Sequence, residues 1–173
     1  GAAVIGYSIC PTSSEEVVWV AKRALDKPTW PGMMDVMAAG AVSAAMSPEE
    51  TAKDEAADEA GVPADLAAKV RPVGAVSYRG VDEWGQLKRD VFFAFDLELP
   101  WEFEPTPQDG EVEAFQRMPA SELAHAVAFG CPADFKPNIN LLMIDFLIRH
   151  GHLSPADPGY LELLGSLRLG DCR

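Results

Sequence analysis

The sequence predicts an α/β fold in which one mixed β-sheet is covered by α-helices. Three observations carry this expectation. Short apolar or alternating runs come first, a single strong helix interrupts them, and further strands are followed by helices. That order suits a sheet flanked by helices and does not suit a repeated βαβ array. The chain has 173 residues, 48% of them hydrophobic, enough for one substantial core. We expect one domain over 1–173, with a core over about 1–130 and a helical extension over about 135–170.

The strand candidates are Ala3 to Ile9, Val17 to Lys22, Val73 to Tyr78, Val91 to Leu99 and Val112 to Phe115, each bounded by turn-forming residues. The helix over Pro48 to Ala60 is the clearest element. Ser47 and Glu50 form a Ser-x-x-Glu capping box, Pro48 suits the first turn, and Gly61 and Pro63 stop the helix. Polar Gly80 to Arg89 joins two strands of a hairpin, and Pro100 to Gly110, with three prolines, is a loop. Ser121 to Val127, Asn138 to His150 and Gly159 to Leu167 are the remaining helices. In the second of these, Ile139, Leu142, Ile144, Phe146 and Leu147 form a broad apolar face.

Composition excludes several function classes. With 27 acidic against 14 basic residues, the net charge of −13 opposes nucleic-acid backbones and anionic membranes. No apolar run approaches the roughly 20 residues that span a bilayer; even Leu141 to Ile148 is broken by Asp145. The apolar start GAAVIGYSIC lacks a basic leader and a cleavage pattern and reads as a strand. Cys10, Cys131 and Cys172 lack metal-ligand or disulfide-framework spacing, so we expect reduced thiols and an intracellular location, cytoplasmic or organellar. His125, His150 and His152 form no metal motif, and RHGH reads as a helix terminus.

Glu55, Asp58 and Glu59 stand at i, i+3 and i+4, which brings three carboxylates to one side of the central helix. Such a group either keeps an alanine-rich helix soluble or holds a hard divalent cation such as magnesium or manganese.

The run GAVSAAMSPEETAKDEAADEAGV resembles the Nudix box, G-x5-E-x7-R-E-U-x-E-E-x-G-U, where U is aliphatic. Gly40, Glu55, Asp58, Glu59, Gly61 and Val62 take their places in it, whereas Met46 replaces the first glutamate and Asp54 the arginine. The two lost positions commonly support each other as an ion pair in that family, so their joint loss is coherent. Asp58 keeps a carboxylate with a shorter reach. The segments TWPGMMDVMAAG, VFFAFDLELP, DGEVEAF and FKPNINLLMIDFLIRHG further resemble the Nudix proteins related to thiamine pyrophosphokinase, and the similarity covers nearly the whole chain.

The resemblance implies a magnesium-dependent hydrolase that converts thiamine diphosphate, or an oxidised analogue, to the monophosphate. Glu55, Asp58 and Glu59 would hold the metal, with manganese as an alternative ion. The carbonyl of Gly40 would be a further ligand or else only a turn. Glu111, with Glu113 next, would complete the site or stand on the surface at a strand start. Trp30, Trp84, Trp101 and Phe103 would stack on the organic half of the substrate or pack in the core. Lys136 and Asn138 would contact phosphate or fix a helix entry. The alternative function is a catalytically inactive Nudix domain serving as a structural subunit in a larger assembly with a protein partner. Met46, Asp54, Asp58 and the start at Gly1, without the N-terminal region usual in that family, motivate it. An isoprenoid-diphosphate isomerase is disfavoured because no suitably placed cysteine is found.

Overall fold

In a computed structural model of the chain, residues 1–81, 85–129 and 135–170 are described. Trp84, Cys131 and Cys172 lie outside them. Strand β1 (Ala2–Ile9) is the centre of a seven-stranded mixed sheet. It pairs parallel to β6 (Leu87–Glu98) and antiparallel to β2 (Glu16–Arg23) and β4 (Ala38–Gly40). The sheet continues from β2 to β3 (Met34–Asp35) and β7 (Val112–Pro119), and from β6 to β5 (Arg71–Val81).

The alternation of a strand's side chains divides the interior into two cores. Ala3, Ile5, Val18, Val20 and Ala94 face one side. There they meet α3 (Ala120–Phe129), α4 (Ile139–Arg149) and the end of α5 (Tyr160–Ser166). Ala2, Val4, Trp19, Phe95 and Leu97 face α1 (Pro48–Ala60) and α2 (Ala64–Ala67). Helices on both faces explain why β1 is buried along nearly its whole length and reads as a continuous apolar run. The expected mixed sheet between helices is what forms.

Helix α1 has both halves of its capping box, and Gly61 ends it with φ 64, a left-handed backbone that favours glycine. Ala52, Ala56 and Ala60, fully buried at i, i+4 and i+8, let the helix axis approach the sheet closely. Three differences from the sequence reading concern lengths and small elements. β5 and β6 extend into the polar stretch, so the hairpin connection is shorter than Gly80 to Arg89. β7 runs on to Pro119, because it pairs with β2 as far as Val17. The short β3, β4 and α2 fall below the length at which periodicity is readable.

The Asp145 that interrupts the apolar stretch of α4 joins an ionic network across the interface with the sheet. Asp145 and Asp96 are each 2% exposed. Arg149 donates to both, from Nε to Asp145 at 2.7 Å and from Nη2 to Asp96 at 3.0 Å, and Arg168 Nη2 donates to Asp145 at 2.8 Å. His150, at the C-cap of α4, bridges Asp96 at 2.9 Å and Glu16 at 2.7 Å. RHGH is thus a helix terminus. Burial lowers the affinity of His150 for a proton, but hydrogen bonds to Asp96 and Glu16 outweigh it and raise the pKa from 6.5 to about 9.

The imidazolium therefore contributes stability that is fully present below pH 6.5 and lost as pH rises through about 9. Thermal unfolding of the wild type should show a midpoint that falls across this window. In His150→Gln that slope should flatten, and an unchanged slope would count against the assignment.

Candidate functional site

Helix α1 delivers the carboxylates, and β4 receives them. Glu59 is only 9% exposed, and the Ala39 N–H donates to its Oε2 at 2.8 Å. Burial, assisted by the charges of Glu55, Asp35 and Asp109 and opposed by that hydrogen bond, pushes its pKa up to about 8. Glu55, one turn earlier, is half-buried. Its pKa is raised by burial first and then by Glu111, Asp58, Asp109 and Asp54. Asp58 and Asp54 are exposed on the same helix. Met46 is partly buried in the turn before the cap, where its N–H donates to Ser43 O at 3.2 Å.

Gly40 matters because it has no side chain. A Cβ there would lie 1.7 Å from Glu55 Oε1, so the Glu55 carboxylate occupies the space that any other residue would fill. The clashing atoms are the end of a flexible side chain. Gly40→Ala should therefore leave the fold intact but swing Glu55 away, and titration calorimetry should show weaker magnesium or manganese binding with little change in melting temperature.

The loop after β6 supplies two more acids. Glu59, Asp109 and Glu111 each offer a carboxylate oxygen, and these oxygens lie within 4.8 Å of one another. The loop is held at two points. Thr106 N–H donates to Ala60 O at the end of α1 at 3.0 Å, and Arg117 of β7 donates to the carbonyls of Trp101 and Phe103. The Arg117 guanidinium also lies over the rings of Trp101, at 4.2 Å, and Trp19, at 4.8 Å. Trp101 and Phe103 thus anchor the loop. At its end the Glu111 N–H donates to Asp109 Oδ1 at 2.8 Å, and Lys27 pairs with Glu111. Glu113 instead pairs with Lys22 at 2.8 Å.

The donor set is all carboxylate oxygen with one buried member, and burial, assisted by the neighbouring negative charges, raises the proton affinity of Glu59 and of the adjacent Glu55. A divalent cation would relieve both burdens, and its chemistry matches hard oxygen ligands. Asp109 was not among the sequence candidates. The available signal was its place two residues before Glu111 in a turn, which becomes meaningful only once the loop is seen to fold back onto α1.

Beside the carboxylates lies a second charged group. Arg23 donates to Asp35 Oδ2 at 3.0 Å, to Trp30 O at 3.1 Å and to Thr29 O at 2.9 Å. Lys136 Nζ is 3.5 Å from Asp35 Oδ2. Asn138 stands at the N-cap of α4 but makes no capping bond with its side chain; its Nδ2 donates to Tyr78 Oη at 2.9 Å. Thr29, Trp30, Lys136 and Asn138 all line one cavity of about 580 Å³.

A family model described as the NUDIX domain matches residues 2–138. Over 158 residues the chain is 42% identical to "Nudix hydrolase 24, chloroplastic" of Arabidopsis thaliana, covering 91% of this chain and 42% of that protein. It is equally 42% identical to "Nudix hydrolase 20, chloroplastic" of the same plant, covering 91% and 41%. The chain thus spans less than half the length of these curated relatives. Among solved structures, the NUDIX domain of Shewanella oneidensis NrtR complexed with ADP ribose matches with a TM-score of 0.64 at 14% identity, covering 86% of each chain. That likeness is one of fold. The matched residues include the seven strands, the carboxylate helix and its acidic loop, and the chain belongs to the Nudix family.

Proposed function

We propose that the chain is a magnesium-dependent diphosphate hydrolase, with manganese as a substitute ion, that converts thiamine diphosphate or an oxidised analogue to the monophosphate and releases phosphate. The observation that carries this reading is the convergence of Glu59, Asp109 and Glu111 within 4.8 Å beside Glu55. Glu59, Asp109 and Glu111 would hold the ion, with Glu55, Asp58 and the Gly40 carbonyl as further ligands. When bound, the ion neutralises phosphate charge and lowers the pKa of a coordinated water.

The chain's own residues then have distinct tasks. Water attacks the terminal phosphorus, the bridging P–O bond breaks, and the monophosphate leaves. Glu55, with its Oε1 seated against Gly40 beside the acidic cluster, accepts the proton of the attacking water. Lys27 holds Glu111 in place. The thiamine reading draws support from the four segments quoted above. Two of them, TWPG and FKPN, contribute Thr29, Trp30, Lys136 and Asn138 to one cavity.

The test is phosphate release from a panel of thiamine and nucleoside diphosphates by purified protein with millimolar magnesium. Release from thiamine diphosphate or its oxidised analogues supports the proposal, and release from none of the panel overturns it. The exposed Asp54, where the family's motif has arginine, favours the second reading of a non-catalytic scaffold. Absence of both turnover and calorimetric magnesium binding would favour that reading.

A further inference from the structure

We propose that the hairpin of β5 and β6 is a docking surface for a second copy of this chain, and that Arg79 and Arg89 of each copy pair with Glu50 and Asp54 on helix α1 of the other. The proposal goes beyond the hydrolase reading and does not rest on it.

Strand alternation puts Phe93, Val91, Arg89 and Leu87 of β6 on one face, paired with Ala75, Ser77, Arg79 and Val81 of β5. Phe95 and Leu97, further along that face, are buried against α1 and α2. From Phe93 outward the face is open: Phe93 is 41% exposed, Val81 68% and Leu87 69%. Apolar side chains thus lie on both sides of a cationic row in which Arg79 and Arg89 stand directly opposite each other. Like charges so placed weaken a hairpin, and among the described residues neither arginine has an acidic partner. An apolar patch with arginine at its middle has the composition of a protein interface. The edge of β5 is a poorer docking site, because the chain after α5 already lies along it. There Ser77 N–H donates to Leu167 O at 3.0 Å, and Gly170 sits against the Tyr78 backbone.

Charge and shape select the occupant. In a chain of net charge −13, α1 turns Glu50 and Asp54, one turn apart, to solvent. Asp54, which stands where the family's box has arginine, has no basic partner among the described residues. Helix and open face lie on the same side of the sheet, with α1 seated mainly on β4 and β1 and the open face beyond them on β6 and β5. The helix therefore forms a step beside the open face. A second copy, turned over about a twofold axis, seats its α1 in that step above Arg79 and Arg89. It receives the first copy's α1 in the same manner, as a self-complementary contact requires. Glu55 and Glu59 stay turned toward β4 throughout.

The experiment is sedimentation equilibrium on the purified chain. We expect a dimer with a dissociation constant on the order of 10 μM or below at about 50 mM salt, weakened about tenfold or more at about 500 mM. Arg89→Glu alone and Asp54→Lys alone should be monomeric under the low-salt conditions. Mixed in equal amounts, the two variants should dimerise, because both contacts of the mixed pair then join opposite charges. Arg89→Glu also sets opposite charges across the hairpin, so its melting temperature, measured where the wild type is dissociated, should not fall. That measurement separates a lost contact from a folding defect. A wild type that stays monomeric at about 100 μM, a dimer that Arg89→Glu leaves intact, or a mixture of the two folded variants that stays monomeric overturns the proposal.

Discussion

Glu59→Gln is expected to lower metal-dependent turnover by on the order of 100-fold or more, the scale of removing one principal electrostatic contact from an active site. The substitution preserves shape, and the amide oxygen of glutamine can still accept from Ala39 N–H. What disappears is charge. Stability should move the other way. A carboxyl whose folded pKa is raised from 4.5 to about 8 weighs against the fold increasingly as pH climbs through that range. Glutamine carries no such penalty, so at pH 8 and above Glu59→Gln should unfold at the same temperature as the wild type or higher. Kinetics and thermal unfolding on one preparation check both halves. Full activity in the variant would remove Glu59 from the site, and a large loss of stability would show that its role is structural.

Arg149→Met should produce the largest loss of stability, about 3 kcal/mol, the low end of what breaking one partner out of a buried ion pair costs. The low end applies because His150 still reaches Asp96 and Arg168 still reaches Asp145. Burial alone would push Asp96 up, but hydrogen bonds from His150 and Arg149 hold it below the ordinary carboxylate range. Without Arg149 its charged form loses two hydrogen bonds and an adjacent positive charge. Urea denaturation gives the free energy. Combining Arg149→Met with Asp96→Asn should recover part of the loss, because a neutral amide is less costly to bury than an unpaired carboxylate. Additive losses in the double variant would argue against direct coupling.

Local features were legible wherever their causes are local. The capping box of Ser47 and Glu50, the stop at Gly61 and the spacing of Glu55, Asp58 and Glu59 all depend on neighbours within one or two turns. The α4 helix was legible for the same reason, although its Asp145 looked only like an interruption. The partner of that aspartate one turn away, Arg149, lies within the readable range. Asp96 and Arg168, which complete its setting, are 49 and 23 residues distant from Asp145, and no periodicity connects them.

By itself, then, the sequence determined the five longer strands, the helix that carries the carboxylates, and the Nudix resemblance of their spacing. Tertiary structure decided which carboxylates meet. It brought Asp109 and Glu111 to Glu59 by tying the proline-rich loop to α1 through Thr106 and to β7 through Arg117, and it left Asp58 exposed and Glu113 paired with Lys22. It also decided the proton affinities of Glu55 and Glu59, through burial first and then through the charges and hydrogen bonds that the folded chain brings to them. The physical reason is range. Helix and turn preferences act over a few residues, whereas burial and the convergence of charges depend on chain segments that become neighbours only after the sheet has formed.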